Sequence, residues 1–160
     1  VTGSYAFEAP AGPFTLTARA DRIDIGADGI AITDYKTGAN LSELVARAKE
    51  GKRPQLLLEA MIARNAGFTG VHATETAALK YILASGGEPP GHEVEIIFDD
   101  LSKTTAEVAA ELASLVARYD DEATPYSAVR RAQFRYDYDA YAHLARVSEW
   151  DSVSDDGGVS

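Results

Sequence analysis

Alternating apolar and polar residues predict a pair of strands near the start of the chain. Residues 14–20 alternate strictly, and residues 30–36 form a second strand-like run after a Gly-Ala-Asp-Gly turn. The apolar positions change parity in between, because Ile23 and Ile25 are odd whereas the first run places its apolar residues at even positions. We therefore expect a strong twist or a bulge near Asp21.

Helical periodicity and turn residues divide the rest of the chain. The pattern predicts helices at 41–49 and 54–65, strands at 78–84 and 94–98, and a helix that starts at Thr104 or Thr105 and ends near Tyr119. This order predicts an α/β or α+β fold, with a mixed central β-sheet flanked by helices. We expect an irregular lead-in at 1–13, a core at 14–122, an aromatic-rich C-terminal wrap at 123–150 and a disordered tail at 151–160.

The hairpin turn sets which residues of the first two strands face each other. A loop of either two or four residues brings Asp21 opposite Asp34. Like charges so placed repel, and a divalent cation between them would offset the repulsion. Hard oxygen ligands favour magnesium, with manganese as the alternative. An odd loop or a bulge would shift this register, and frayed strand ends beside Arg19 and Arg22 would need no metal.

Strand parity adds a lysine to the same place. Ile30, Ile32, Asp34 and Lys36 share one face of the second strand, which is apolar at its start and charged at its end. A lysine beside a metal-binding aspartate can orient or deprotonate a water and balance charge that builds on a phosphate. The pattern favours a hydrolytic site at the end of this strand.

The helix predicted at 54–65 is apolar nearly all round, so we expect it to be buried. Its two polar residues before the last turn, Gln55 and Glu59, are four apart and lie on one face. They either form the helix's solvent-facing stripe or line the same cleft as Asp21, Asp34 and Lys36.

Composition removes several classes of chemistry. The 160 residues include no cysteine, which excludes disulfides, thiolate zinc sites and a cysteine-ligated iron–sulfur cluster in this stretch. Residues 1–64 carry as many basic as acidic side chains, so the net charge of −10 comes from residues 65–160. No apolar run is long enough to span a membrane, and we expect no membrane among the partners. The chain starts at Val1 and its only methionine is Met61, so we expect a fragment of a longer protein.

Three motifs resemble the PD-(D/E)xK nucleases of the RecB type. They are Ala-Arg-Ala-Asp-Arg-Ile-Asp at 18–24, Ile-Thr-Asp-Tyr-Lys-Thr-Gly at 32–38 and Pro-Gln-Leu-Leu-Leu-Glu at 54–59. The shared pattern is G-x-x-D, D-Y-K and Q-x-x-x-Y. Here Ala18 replaces the glycine and Glu59 replaces the tyrosine. The resemblance implies a restriction-endonuclease-like core within residues 14–122.

The same resemblance assigns roles to individual residues. It implies that Asp21 and Asp34 bind Mg²⁺ or Mn²⁺, with the Tyr35 backbone carbonyl as a further ligand. Lys36 would be the catalytic lysine, Gln55 would face the nucleic acid, and Glu59 would support the site. The family's upstream ligand belongs to a preceding helix that the fragment lacks, so we expect that the fragment alone could be inactive.

The tail is similar to the C-terminal end of AddB-type double-strand-break repair subunits. The resemblance implies an exonuclease domain in the bacterial cytoplasm, with single-stranded DNA as the expected substrate and an AddA-type helicase–nuclease subunit as its partner. The absence of cysteine matches the branch without an iron–sulfur cluster. The alternative is a catalytically inactive nuclease-like module that serves a DNA channel or subunit docking.

Basic and aromatic residues alternate within the tail. Arg130, Arg131 and Arg135 are interleaved with Phe134 and several tyrosines, a mixture suited to backbone contacts and base stacking on single-stranded DNA. The alternative is that the tail packs its aromatic residues on the core.

Overall fold

The computed structural model describes residues 1–37, 40–72, 75–87 and 91–125. Contacts between residues group Val1–Asp121 into one compact unit, and this unit holds the fold described below. The tail arginines (Arg130, Arg131 and Arg135), most of the predicted wrap at 123–150 and the predicted tail at 151–160 lie outside the described residues. Within the described residues, no helix combines the length and the apolar character needed to cross a membrane.

The described residues form two sheets and three helices. In chain order the elements are β1 (Thr2–Ala9), β2 (Gly12–Arg19), β3 (Arg22–Gly26), β4 (Gly29–Lys36), α1 (Leu41–Lys49), α2 (Gln55–Arg64), β5 (Thr76–Leu83), β6 (His92–Glu95) and α3 (Leu101–Asp120). One sheet has the strand order β3-β4-β5-β6, and the other pairs β1 with β2. Because β4 and β5 run parallel while the other pairs are antiparallel, the predicted mixed α+β fold is confirmed.

The hairpin between β3 and β4 has the predicted register. Ile23 pairs with Ile32, and the ladder ends where Arg22 pairs with Thr33. The change of parity near Asp21 does not come from the predicted twist or bulge within a strand. The strand ends before Asp21 because the chain leaves one sheet and enters the other, and each sheet buries its own face.

The predicted irregular lead-in is wrong, because most of it is strand β1. All eight residues of β1 pair antiparallel with β2, and Phe7 lies opposite Phe14 with ring centroids 5.3 Å apart. The turn of this hairpin is Pro10-Ala11, and Gly12 already pairs with Ala9. The turn residues Pro and Gly therefore mark a two-residue connection between strands and not a long loop.

Helix α3 begins earlier than predicted, at Leu101. Asp100, and not Thr104 or Thr105, caps α3, because its side chain accepts a hydrogen bond from the Lys103 N–H at 2.8 Å. The Thr105 hydroxyl donates instead to the Leu101 carbonyl inside the helix, at 2.8 Å. Strand β6 also begins and ends earlier than the predicted 94–98.

The core lies between β4, β5 and α2. Ile30, Ile32 and Leu79 contribute the sheet side of this core, and each is fully buried. Helix α2 is buried nearly all round as predicted, through Leu56, Leu57, Ala60, Met61, Ile62 and Ala63. This packing fixes the N-terminal end of α2 relative to the sheet and so positions the polar residues there.

Gly67 allows β1 to approach the end of α2. Its N–H donates to the Ile62 carbonyl at 2.9 Å, and its own carbonyl accepts from the Ser4 N–H at 3.1 Å. A Cβ at this position would overlap the Ser4 carbonyl oxygen and would lie 2.8 Å from Ile62 Cγ2. Glycine is therefore required by space at this junction.

We expect the substitution Gly67→Ala to lower the free energy of unfolding by about 2 kcal/mol, because backbone would have to move to admit the methyl group. Chemical denaturation followed by circular dichroism measures this change. Gly87→Ala is the matched control, since a Cβ there meets only the Ser85 hydroxyl, at 3.8 Å. Equal stability of the two variants would contradict the packing described here.

Candidate active site

A carboxylate is buried at the end of the apolar face of β4. Ile30 and Ile32 are fully buried, and Asp34, two residues further along the same face, is only 4% exposed. The contact of Lys36 Nζ with Asp34 Oδ2 agrees with the predicted shared face of Ile30, Ile32, Asp34 and Lys36. A buried carboxylate needs partners that compensate for its lost hydration.

Two neighbours supply that compensation for Asp34. Lys36 Nζ lies 2.6 Å from Asp34 Oδ2, and Gln55 Nε2 donates a hydrogen bond to Asp34 Oδ1 at 2.9 Å. The ammonium is therefore the partner of Oδ2, which has no further donor among the described residues. The buried carboxylate is held by one charged and one neutral group.

Tyr81 completes the floor beneath the lysine. In the parallel pairing of β4 with β5, Tyr81 lies beside Asp34, and Lys36 Nζ is 5.8 Å from the centre of its ring. Burial raises the pKa of the Tyr81 hydroxyl, and the Asp34 charge acts in the same direction. Tyr81 is not among the predicted site residues, because its position depends on the β4–β5 register, which no turn fixes.

Gln55 and Glu59 line this cleft and do not form a solvent-facing stripe. Gln55 is exposed at the rim, whereas Glu59, one turn further along α2, is only 2% exposed. The Gln55 amide also donates to Glu59 Oε1 at 3.3 Å, so a single nitrogen bridges two carboxylates. In the part of the chain that the structure describes, Glu59 Oε2 has no hydrogen-bond partner.

Asp21 stands at the edge of the same site, outside any strand. Its Oδ2 accepts a hydrogen bond from the Tyr35 N–H at 3.1 Å, and its side chain is exposed. The predicted strand pairing with Asp34 would lie one step past the last pair of the ladder, so Asp21 reaches β4 through its side chain. Because the N–H and C=O of a strand residue leave the same edge, the Tyr35 carbonyl faces the Asp21 side.

The donors present suit a hard cation, although they do not form a ready-made cage. Over residues 1–37, 40–72, 75–87 and 91–125, no three acidic or histidine side chains are grouped closely enough to hold an ion as they stand. Glu59 Oε2 is nevertheless a buried oxygen without a hydrogen-bond donor in these ranges, and Asp34 Oδ2 is paired with the Lys36 ammonium, which an ion could displace. All-oxygen donors of this kind fit Mg²⁺ or Mn²⁺, which keep several waters in their coordination shells.

The buried Glu59 carboxylate predicts a pH dependence of stability. Burial raises the pKa of Glu59; the Gln55 hydrogen bond opposes this, and the charges of Asp34 and Asp21 reinforce it. The folded state therefore holds the proton more tightly than the unfolded state. The stability that comes from this tighter proton binding is fully present below the unfolded-state pKa of Glu59. It is lost as pH rises through the raised folded-state pKa.

We expect Glu59→Gln to become progressively more stable than the wild-type chain as pH rises from about 4 to about 8 in the presence of a chelator. Thermal unfolding at each pH measures the difference between the two proteins, in which the other carboxylates cancel. A difference that stays constant over this range would contradict a raised pKa at Glu59.

Comparison with known proteins identifies the family of this chain. A family model described as the PD-(D/E)XK nuclease superfamily matches residues 2–135. No curated protein and no solved structure matches the chain at a significant level. The family match covers most of the 160 residues and includes the elements that carry Asp21, Asp34, Lys36 and Gln55. The chain belongs to the PD-(D/E)XK nuclease superfamily.

Proposed function

We propose that this chain is a divalent-metal-dependent DNA exonuclease domain of the RecB type. The observation that carries the proposal is the buried Asp34 carboxylate, held between Lys36 and Gln55 at the end of an apolar strand. A structural ion pair would gain little from this position, because burying two charges costs about as much as their attraction returns. A buried carboxylate beside an ammonium is instead suited to a site that binds a cation through the carboxylate and a phosphate through the ammonium.

The metal ligands proposed are Asp34, Asp21 and the Tyr35 backbone carbonyl. Asp34 offers a buried carboxylate, and Asp21 and the Tyr35 carbonyl lie at the adjacent strand edge. Mg²⁺ is the preferred ion, with Mn²⁺ as a substitute. When bound, the ion supplies Lewis-acid stabilisation of the charge that develops on the phosphate.

Lys36 is proposed to hold the attacking water and to stabilise the phosphate. The Lys36 side chain is 21% exposed whereas that of Asp34 is 5% exposed, so the lysine is the partner that solvent and substrate can reach. The ring of Tyr81 supports it from below. A lysine in this position can orient a water for in-line attack and donate to a phosphate oxygen.

Gln55 is proposed to face the DNA at the rim of the cleft. The side chain is exposed, and its amide nitrogen is already occupied by Asp34 and Glu59. Its carbonyl oxygen is therefore the group left to contact a base or sugar. Such contacts orient the substrate, whereas affinity for DNA comes mostly from phosphate contacts elsewhere.

The finer assignment rests on the motif resemblance. It places the domain in an AddB-type subunit of a bacterial, cytoplasmic helicase–nuclease, with an AddA-type partner and single-stranded DNA delivered by the motor. Processing of broken DNA ends for repair and recombination is the role that follows. Arg130, Arg131 and Arg135 remain proposed contacts to the DNA backbone.

We expect Lys36→Ala and Asp34→Asn each to reduce Mg²⁺-dependent DNA hydrolysis by roughly 100-fold or more. The measurement is the release of nucleotides from end-labelled single- and double-stranded DNA by the full-length protein, in its native complex if it is a subunit. Labels at the 5′ or 3′ end also give the direction of degradation.

Lys80→Ala is the matched control for these variants. Lys80 also pairs with a carboxylate, Glu93, at 2.8 Å, but it lies outside the cleft, so its removal should leave hydrolysis nearly unchanged. Undiminished hydrolysis in Lys36→Ala would overturn the catalytic assignment. Tight DNA binding without any hydrolysis by the wild-type protein, in Mg²⁺ or Mn²⁺, would instead favour the non-catalytic docking module.

A further inference from the structure

Glu59 is the one buried carboxylate of the cleft that the proposed mechanism does not use. It is 2% exposed, its Oε1 accepts only a long hydrogen bond of 3.3 Å from Gln55, and its Oε2 has no donor among the described residues. The related nuclease pattern has a tyrosine at this position. A neutral hydroxyl has been replaced by a group that carries charge into the interior.

We propose that Glu59 is a further ligand for the divalent cation and shares the ion with Asp34. This inference rests on the proposed function, because it adds a ligand to the metal site of the nuclease. It assigns the ion to a deeper position, between β4 and α2, than a pair formed by Asp21 and Asp34 alone would give. The ligand class is a hard divalent cation of the size of Mg²⁺ or Mn²⁺.

The geometry between the two carboxylates already suits a positively polarised group. Gln55 Nε2 donates to Asp34 Oδ1 at 2.9 Å and to Glu59 Oε1 at 3.3 Å. The two oxygens therefore lie no further apart than the sum of those distances. Because Gln55 is exposed at the rim, its side chain can rotate outward when an ion binds, which leaves both oxygens to the ion while Gln55 still faces the DNA.

The charges of the cleft also favour a divalent partner. Asp21, Asp34 and Glu59 bring three carboxylates to one end of β4, and each of the two aspartates acts on Glu59 electrostatically. Among the described residues, the ammonium in ion-pair contact with them is that of Lys36. One divalent ion would balance the remaining two negative charges, which no hydrogen bond to a neutral amide can do.

The test is direct measurement of Mn²⁺ binding, independent of catalysis. Electron paramagnetic resonance reports free Mn²⁺ while the full-length protein is titrated, in its native complex if it is a subunit. Glu59→Gln keeps the size of the side chain and its acceptor for Gln55 but removes the charge. We expect this variant to weaken Mn²⁺ binding by about tenfold or more, and Asp34→Asn to weaken it at least as much.

Glu107→Gln is the matched control, because Glu107 is an exposed carboxylate on α3 whose nearest cation, Lys103, is 3.9 Å away. Its Mn²⁺ affinity should equal that of the wild-type protein. Unchanged binding in Glu59→Gln together with weakened binding in Asp34→Asn would overturn the role of Glu59 and leave the proposed function standing. Absence of Mn²⁺ binding in the wild-type protein would contradict both the role of Glu59 and the proposed function.

A second measurement separates ligation from folding. Mn²⁺ should raise the melting temperature of the wild-type protein by more than it raises that of Glu59→Gln. Glu59→Asp keeps the charge but shortens the side chain by one methylene group. Its affinity for Mn²⁺ should lie between those of the wild-type protein and Glu59→Gln. An equal rise in all three proteins would contradict direct ligation by Glu59.

Discussion

The burial of the Asp34 carboxylate is the constraint on which the site depends. The residue continues the apolar face of β4, so the strand that builds the core also carries a charge into it. That charge is held by Lys36 from the same strand and by Gln55 from α2. Because the partners come from two elements, the polar cluster can form only when α2 is packed against the sheet.

The core supplies the stability that such a cluster uses. Helix α2 buries six apolar residues, and its packing against β4 and β5 fixes the end of the helix where Gln55 lies. Glu59 lies inside this packing and has no ammonium in ion-pair contact among the residues described. A carboxylate held this way destabilises the protein unless it takes up a proton or binds a cation, which couples metal binding to stability.

Much of the site could be predicted because its information is local. The two-residue period of β4 places Asp34 and Lys36 on the buried face, and the turn before β4 sets the pairing of Ile23 with Ile32. Tyr81 and the burial of Glu59 depend on how distant segments pack, which no local pattern encodes. Strand β1 was not predicted for a local reason: Pro10 and Gly12 are typical loop residues, although here Pro10 lies in a two-residue turn and Gly12 begins β2.

The most direct test of the metal site is an anomalous-scattering map from crystals of the protein grown with Mn²⁺. We expect a peak within about 2.6 Å of an Asp34 carboxylate oxygen, with the Lys36 ammonium displaced from it. A fully occupied Mn²⁺ site elsewhere on the protein, with Asp34 still paired to Lys36 and no peak in the cleft, would contradict the assignment of Asp34 as the centre of a nuclease site.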